Sequence, residues 1–299
     1  MILVTGASGF IGRHFVRRAI SGGQDLVVLT RNVGLYDKVD SEIVIEGNLR
    51  EWDSWKNLLR DYDIETCVHL AWEGIPDYSY DCSEKNLVSS LAVLRLCDEL
   101  DIKNLVITGS CWEYKNPRGR ITTKHEMDYS NAFKAAKQSI HMMSSAFCKE
   151  KGIHLNWMRV FYAYGPGQRE GSLIPYICKC FQNGVVPQLN GLDNENDFVY
   201  VEDVAEALFS VARDHPGSEI LNIGTGRTVK VSEIVQKVAR LKGVSIDLGE
   251  QSVKKHAGIS FCADFDEMVE MYGWKYHVNI DEGLERTVTE IDMKRKRDK

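Results

Sequence analysis

Three glycines at three-residue spacing, Gly6, Gly9 and Gly12, stand where a short apolar run gives way to a helical one. Ile2–Thr5 reads as a buried strand, and Phe10, Ile11, Phe15, Val16 and Ala19 recur at helical spacing. A strand that turns into a helix through glycines exposes bare N–H groups and the positive end of the helix dipole, which together take a phosphate. Gly6 permits the tight turn, Gly9 lets a pyrophosphate approach the backbone, and Gly12 lets the helix pack close to the strand. Ser8, Phe10 and Ile11 are the turn residues expected to touch the same dinucleotide. The second strand ends Leu29-Thr-Arg-Asn32, without the carboxylate that usually accepts the ribose hydroxyls of NAD. A guanidinium at Arg31 pairs with a 2′-phosphate and stacks on adenine, so NADP (as NADPH) is expected in preference to NAD. Asn48 and Leu49, past the third strand, stand where adenine contacts fall.

Elements must hold these groups in register. Short apolar runs at Asp25–Thr30, Glu42–Glu46, Thr66–Ala71, Asn104–Gly109 and His154–Val160 predict strands. Trp52–Tyr62, Glu84–Leu100 and Asn131–Lys151 predict the helices between the later ones. Doubly apolar strands alternating with helices imply an α/β fold: a doubly wound parallel sheet of the Rossmann type. Beyond Gly165 the pattern loosens into a helix at Ser172–Asn183, a strand–helix unit at Asp197–Arg213 and a strand at Glu219–Ile223. A helix at Val231–Leu241 and two short terminal helices follow. The division expected is a coenzyme domain over 1–164, with a return segment at about 197–223, and a smaller interleaved α/β substrate-binding lobe over 165–299.

Composition narrows the function classes. The chain has 299 residues, 43% apolar and 27% charged, as in a globular protein with a full core. A net charge of −6 gives no electrostatic case for nucleic acid, and the basic end Lys294–Lys299 reads as a frayed tail. Eight cysteines form no Cys-x-x-Cys pair, which suggests reduced thiols in a cytoplasmic protein and no metal site. The opening residues are strand and glycine turn, not a signal peptide, and no apolar run approaches the roughly 18 residues of a membrane span.

Further landmarks carry a resemblance. Thr5-Gly-Ala-Ser-Gly-Phe-Ile-Gly12 is followed by His69-Leu-Ala71, Asn86, Ser110 four residues before Tyr114, and Lys137. Then come Arg159-Val-Phe-Tyr-Ala-Tyr-Gly-Pro166, Asp197-Phe-Val-Tyr-Val-Glu-Asp-Val204 and Asn222-Ile-Gly-Thr-Gly226. In this order the chain resembles the extended short-chain dehydrogenases/reductases that act on nucleotide-diphosphate sugars. The resemblance implies a hydride donor and a proton donor at one carbonyl, with Leu70, Ala71 and Lys137 against the coenzyme and Ser110 polarising the carbonyl oxygen. It also implies a tyrosine four residues before the lysine, on the same helix face, whose phenol the ammonium makes more acidic. Phe133 stands there instead. That departure leaves three readings: a reductase drawing its proton from Tyr162, Tyr129, Cys111 or a water on Ser110; an engineered, inactivated variant; or a member that binds without reacting.

The same resemblance bears on the reaction. Dehydratases of the family follow the serine position with Asp-Glu; here it is Ser110-Cys-Trp-Glu113, with Glu113 off register and read as structural. Phe161-Tyr-Ala-Tyr-Gly-Pro-Gly-Gln168 resembles reductases that make deoxyhexoses such as CDP-abequose or CDP-paratose. The expected enzyme is an NADPH-dependent oxidoreductase that reduces the C4 keto group of a nucleotide-diphosphate 4-keto-6-deoxy sugar, as in O-antigen deoxysugar biosynthesis. An NAD(P)-dependent C4 epimerase and a non-catalytic sugar-nucleotide binder are the alternatives. Cys111, Tyr162 and Leu173 are expected near the substrate, with Arg169 or Arg227 either facing its pyrophosphate or standing as surface charge. Trp72 lines the pocket or packs in the core; His69 and Tyr200 are read as packed residues. Leu87, Leu91 and Leu94 with Ile140, Met143 and Phe147 offer stripes that form a homodimer or cover the sheet.

Overall fold

The computed structural model describes residues 1–36, 42–214, 217–248 and 258–297. In chain order the first half runs β1 (Ile2–Thr5), α1 (Phe10–Ser21), β2 (Leu26–Thr30), β3 (Glu42–Glu46), β4 (Thr66–His69), α2 (Tyr80–Glu99), β5 (Asn104–Ser110), β6 (Gly119–Ile121) and α3 (Ala132–Lys151). The second half runs β7 (His154–Val160), β8 (Tyr162–Tyr164), α4 (Leu173–Gln182), β9 (Glu195–Asn196), β10 (Phe198–Tyr200), α5 (Val201–Asp214) and β11 (Glu219–Ile223). It ends with β12 (Val229–Lys230), α6 (Val231–Leu241), β13 (Ser260–Ala263), α7 (Asp266–Tyr272) and α8 (Ile280–Arg297).

Seven strands form one parallel sheet in the order β3-β2-β1-β4-β5-β7-β11. The apolar runs demand this arrangement, since β1 and β2 are buried along their whole length and need cover on both faces. One face packs Phe15 and Val16 of α1 against Leu208 and Phe209 of α5. The other packs Val93 and Leu96 of α2 and Ile140 of α3 over Leu3, Leu105 and Trp157. The winding reverses between β1 and β4, so a crevice opens at the carboxyl ends of these strands. A third apolar cluster joins α4, α6 and α8, and a four-stranded sheet β12-β9-β13-β6 lies outside the main one.

Two expected elements differ. Trp52–Tyr62 is not an α-helix but two tight turns, Leu49–Ser54 and Lys56–Leu59. The Trp55 indole donates to the Asn48 carbonyl at 2.9 Å and lies so close to Gly47 that a Cβ there would be 2.7 Å from the ring. Burying that indole folds the chain back on itself and breaks the helical path. The last helix, α8, is 18 residues and not short; its basic end is helical to Arg297, where a Glu290–Lys294 pair supports the last turns, and residues 298–299 lie outside the described residues. No described helix is long and apolar enough to cross a membrane.

Candidate active site

The turn between β1 and α1 is shaped by what its glycines exclude. Gly6 has φ +76°, and a Cβ there would fall 2.5 Å from the Ala71 nitrogen. A Cβ on Gly12 would sit 2.1 Å from the Gly6 carbonyl oxygen, so this residue fixes how closely α1 approaches β1. At Gly9 the nearest atom to such a Cβ is the Gly6 oxygen at 3.0 Å. Gly9 is also the N-cap of α1; no side chain caps the helix and no acid lies in its first turn. Amide groups without an internal acceptor, at the positive end of a 12-residue helix, fit a diphosphate.

A cleft opens from this turn across the carboxyl ends of β1, β2 and β4. It brings together Gly6, Ser8, Gly9, Arg31, Asn48, Leu49, Leu70, Ala71 and Trp72, all anticipated from sequence. Phe10, Ile11 and Gly12 lie behind it in the first turn of α1, and Lys137 lies beyond its far end on α3. Asn48 accepts the Arg50 N–H at 3.1 Å, so its side-chain oxygen caps the following turn. Arg50 and Glu73 line the cleft too and were not anticipated. Glu73 bridges two guanidinium groups: it pairs with Arg31, and with Arg50 at 2.7 Å. Hydrogen bonding from Arg50, with the Arg31 charge beside it, holds the Glu73 carboxyl below its usual range. Asn86 clamps the Glu73 backbone from α2, accepting its N–H at 2.8 Å and donating to its carbonyl at 3.0 Å.

At the other end Lys137 is buried, donates to the Thr108 carbonyl at 2.8 Å and lies 4.1 Å from the centre of the Trp72 ring. Burial drops its pKa to about 8. Phe133 is one helical turn away and also buried, its ring edge-on to Trp72 (5.1 Å), Tyr78 (5.2 Å) and Trp112 (6.3 Å). Ser110 ends β5, and its hydroxyl accepts the Trp112 N–H at 3.2 Å. Behind it the fully buried Glu113 accepts from Ser110 N (2.7 Å), Gln138 Nε2 (3.1 Å), Trp157 Nε1 (3.0 Å) and Arg159 Nε (2.9 Å). Four donors on one carboxylate make Glu113 the anchor that sets the Ser110 turn.

The remaining candidates are spread out. Tyr129 is 61% exposed on the loop before α3. Cys111 is buried, and desolvation pushes its thiol well above the usual range. Tyr162 packs on Phe198 and Phe261, and burial raises its phenol as well. Arg169 and Arg227 are exposed, and Leu173 is half-buried at the start of α4. His69 is buried between the Thr5 hydroxyl (2.7 Å) and the Ser90 hydroxyl (2.9 Å), and Tyr200 is buried against Tyr164. Asp197 accepts the N–H groups of Thr225, Gly226 and Ala263, tying its motif to the loop after β11 and to the end of β13. Arg50, Glu73 and Tyr78 escaped the sequence reading; the latter two lie just past β4, and the signal for them was position, since ligand-facing residues follow strands at a switch point.

Comparison with known proteins agrees with this architecture. The chain is 23% identical over 313 residues to the CDP-abequose synthase of Salmonella muenchen, covering 96% of this chain and 97% of that one. It is 23% identical over 307 residues to the UDP-glucuronate 4-epimerase of Thermodesulfobacterium geofontis, covering 96% and 94%. Against a trifunctional UDP-glucose 4,6-dehydratase/3,5-epimerase/reductase of Arabidopsis thaliana it is 25% identical over 96% of its own length but spans only 46% of the plant protein. Among solved structures, UDP-glucose 4-epimerase of Thermotoga maritima with UDP-glucose superposes with a TM-score of 0.86 at 22% identity, over 98% of this chain and 99% of the other. MoeE5 in complex with UDP-glucose and NAD gives 0.82 at 25% identity, over 98% and 99%. Residues 2–224 match the family described as NAD dependent epimerase/dehydratase, and since they make up most of the 299, the chain belongs to that family.

Proposed function

We propose that the protein is a reductase of nucleotide-diphosphate sugars that uses NADPH to convert a C4 ketone of a 4-keto-6-deoxy sugar to the alcohol. The observation that carries this reading is the Arg31 and Arg50 pair at the mouth of the cleft, two cations where an NAD site has a lone carboxylate. A bound nicotinamide coenzyme would supply the hydride. The chain's own residues do the rest. Backbone N–H groups after Gly9 receive the diphosphate, and Arg31 and Arg50 face the 2′-phosphate. Lys137, held by the Thr108 carbonyl and the Trp72 ring, faces the nicotinamide ribose. Ser110 donates to the ketone oxygen, and Glu113 keeps its turn in place. The main sheet is the coenzyme half; the lobe built on α4, α6 and α8 covers the sugar nucleotide, with Arg169 at its pyrophosphate. Of the expected stripes Leu94 and Ile140 are buried in the sheet-facing core, with Leu87, Leu91 and Phe147 packed against it, so two copies associate through what α2 and α3 leave exposed, Val88, Met142 and Met143. Free thiols throughout suit the cytoplasm.

One observation favours a second reading. Glu73 brings a carboxylate between the two arginines, and a carboxylate there suits ribose hydroxyls, hence an epimerase that holds NAD. Oxidation of NADPH, followed by absorbance with CDP-, dTDP- and GDP-linked 4-keto-6-deoxyhexoses, separates the two. Stoichiometric NADPH consumption and a 4-hydroxy product are expected. Interconversion of C4 epimers with no coenzyme consumed refutes the reductase.

A further inference from the structure

The reductase reading leaves the proton unassigned, because the side chain four residues before Lys137 has no hydroxyl. The residues around the Phe133 ring are Trp72, Tyr78 and Trp112, and among them one side chain carries an acidic O–H. Resting on that reading, we propose that Tyr78, from the segment between β4 and α2, is the proton donor, replacing from the opposite wall of the site the phenol that α3 lacks.

Three observations place it. The Tyr78 ring meets Phe133 edge-on at 5.2 Å and Trp112 at 5.3 Å, so it is wedged between the ring beside Lys137 and the residue whose N–H the Ser110 hydroxyl accepts. It is half-buried, and its hydroxyl bonds to no protein group among the described residues, leaving the proton for a ligand. Burial raises the Tyr78 phenol and the Arg169 guanidinium partly offsets this, so the arginine proposed for the pyrophosphate acts on the same hydroxyl. The other groups do less well. Tyr162 is packed among Phe198 and Phe261, Cys111 is closed in the core, Tyr129 is on the surface, and Asp77 is held ionised by the Ser79 N–H.

The step balances without a further reactant. Tyr78 transfers its hydroxyl proton to the ketone oxygen as that oxygen takes the electron pair of the C=O π bond. The carbonyl carbon accepts the hydride, with its electron pair, from the reduced coenzyme, which is left oxidised. The Tyr78 phenolate then recovers a proton from water. One ketone, one NADPH and one solvent proton give one alcohol and one NADP⁺.

The test compares the native protein, Tyr78→Phe, and the double variant Tyr78→Phe/Phe133→Tyr. It reads kcat and KM with the three 4-keto sugar nucleotides, and NADP⁺ and nucleoside-diphosphate binding by calorimetry. Tyr78→Phe is expected to lower kcat on the order of 10²–10⁴-fold, the usual contribution of a positioned acid, with KM and both affinities within about threefold. Phe133→Tyr is expected to return at least about tenfold of the loss by restoring a phenol beside Lys137. An unchanged kcat in Tyr78→Phe, or a loss confined to KM and nucleotide affinity, overturns the assignment while the reductase reading stands. No turnover by the native protein overturns that reading and the assignment with it.

Discussion

The arginine pair at the cleft mouth makes a quantitative claim about coenzyme choice. A charge-assisted hydrogen bond is worth about 1.5–3 kcal/mol when its partner remains. Arg31 has a side chain 62% exposed and belongs at the low end, near 1.5 kcal/mol; Arg50, at 32%, belongs near 2 kcal/mol. Arg31→Ala should therefore weaken NADPH binding about tenfold, and Arg50→Ala about thirtyfold. NADH has no 2′-phosphate, so its affinity should move less than about threefold in either variant. Glu73 is the internal anion that both guanidinium groups hold in the present arrangement, and a phosphate must compete with it. Glu73→Gln should therefore tighten NADPH by several-fold without helping NADH. Titration of coenzyme fluorescence at fixed ionic strength reads all three variants, and raising salt from 50 to 500 mM should erode the NADPH preference. Equal losses for both coenzymes in Arg31→Ala and Arg50→Ala would show that the pair serves the cleft's shape and not the phosphate.

Three further outcomes follow from other parts of the molecule. Glu113→Ala leaves the buried Arg159 guanidinium without its carboxylate, a loss of about 3–5 kcal/mol, and thermal unfolding should fall by on the order of 10 °C; a shift under about 2 °C would contradict the anchor role. His69, with its pKa lowered to about 3 by burial and by the Lys137 charge, refuses a proton that the unfolded chain takes below about pH 6.5. Stability should thus drop as pH falls through that window, by about 2 kcal/mol at pH 5, and urea unfolding of His69→Gln should lack this component. Replacing Met142 and Met143 together by glutamate should convert the proposed dimer to a monomer in light scattering; a dimeric mass in the variant would remove α3 from the proposed interface, and a monomeric mass in the native protein would remove the dimer itself.

The sheet was legible because its central strands are buried on both faces: β1 and β7 occupy the residues their apolar runs marked out, as do the partly exposed edge strands β3 and β11. The glycine turn was legible for a related reason, since Gly6 and Gly12 sit where any side chain collides with backbone. What failed was decided by distant packing. Trp55 has the spacing of a helical residue, but its indole finds the Asn48 carbonyl and bends the chain. Glu73 reads as an ordinary loop acid until β2 and the turn after β3 bring Arg31 and Arg50 to it. Tyr78 is likewise 55 residues from Phe133 in sequence and in ring contact with it in space.

Lys137 bears on whether such a site has work to do. Lowering its pKa from 10.5 to about 8 implies that holding the ammonium there costs about 3 kcal/mol relative to water. The Thr108 carbonyl and the Trp72 ring offset part of this, but an apolar side chain of similar length would fill the same space at no such cost. A fold kept only for binding a sugar nucleotide gains nothing from a desolvated amine under a phenylalanine. The penalty makes physical sense when the ammonium meets hydroxyls of a bound coenzyme. On the proposed reading, Phe133 then marks a change in where the proton comes from, within a site that still holds its lysine and its serine in position.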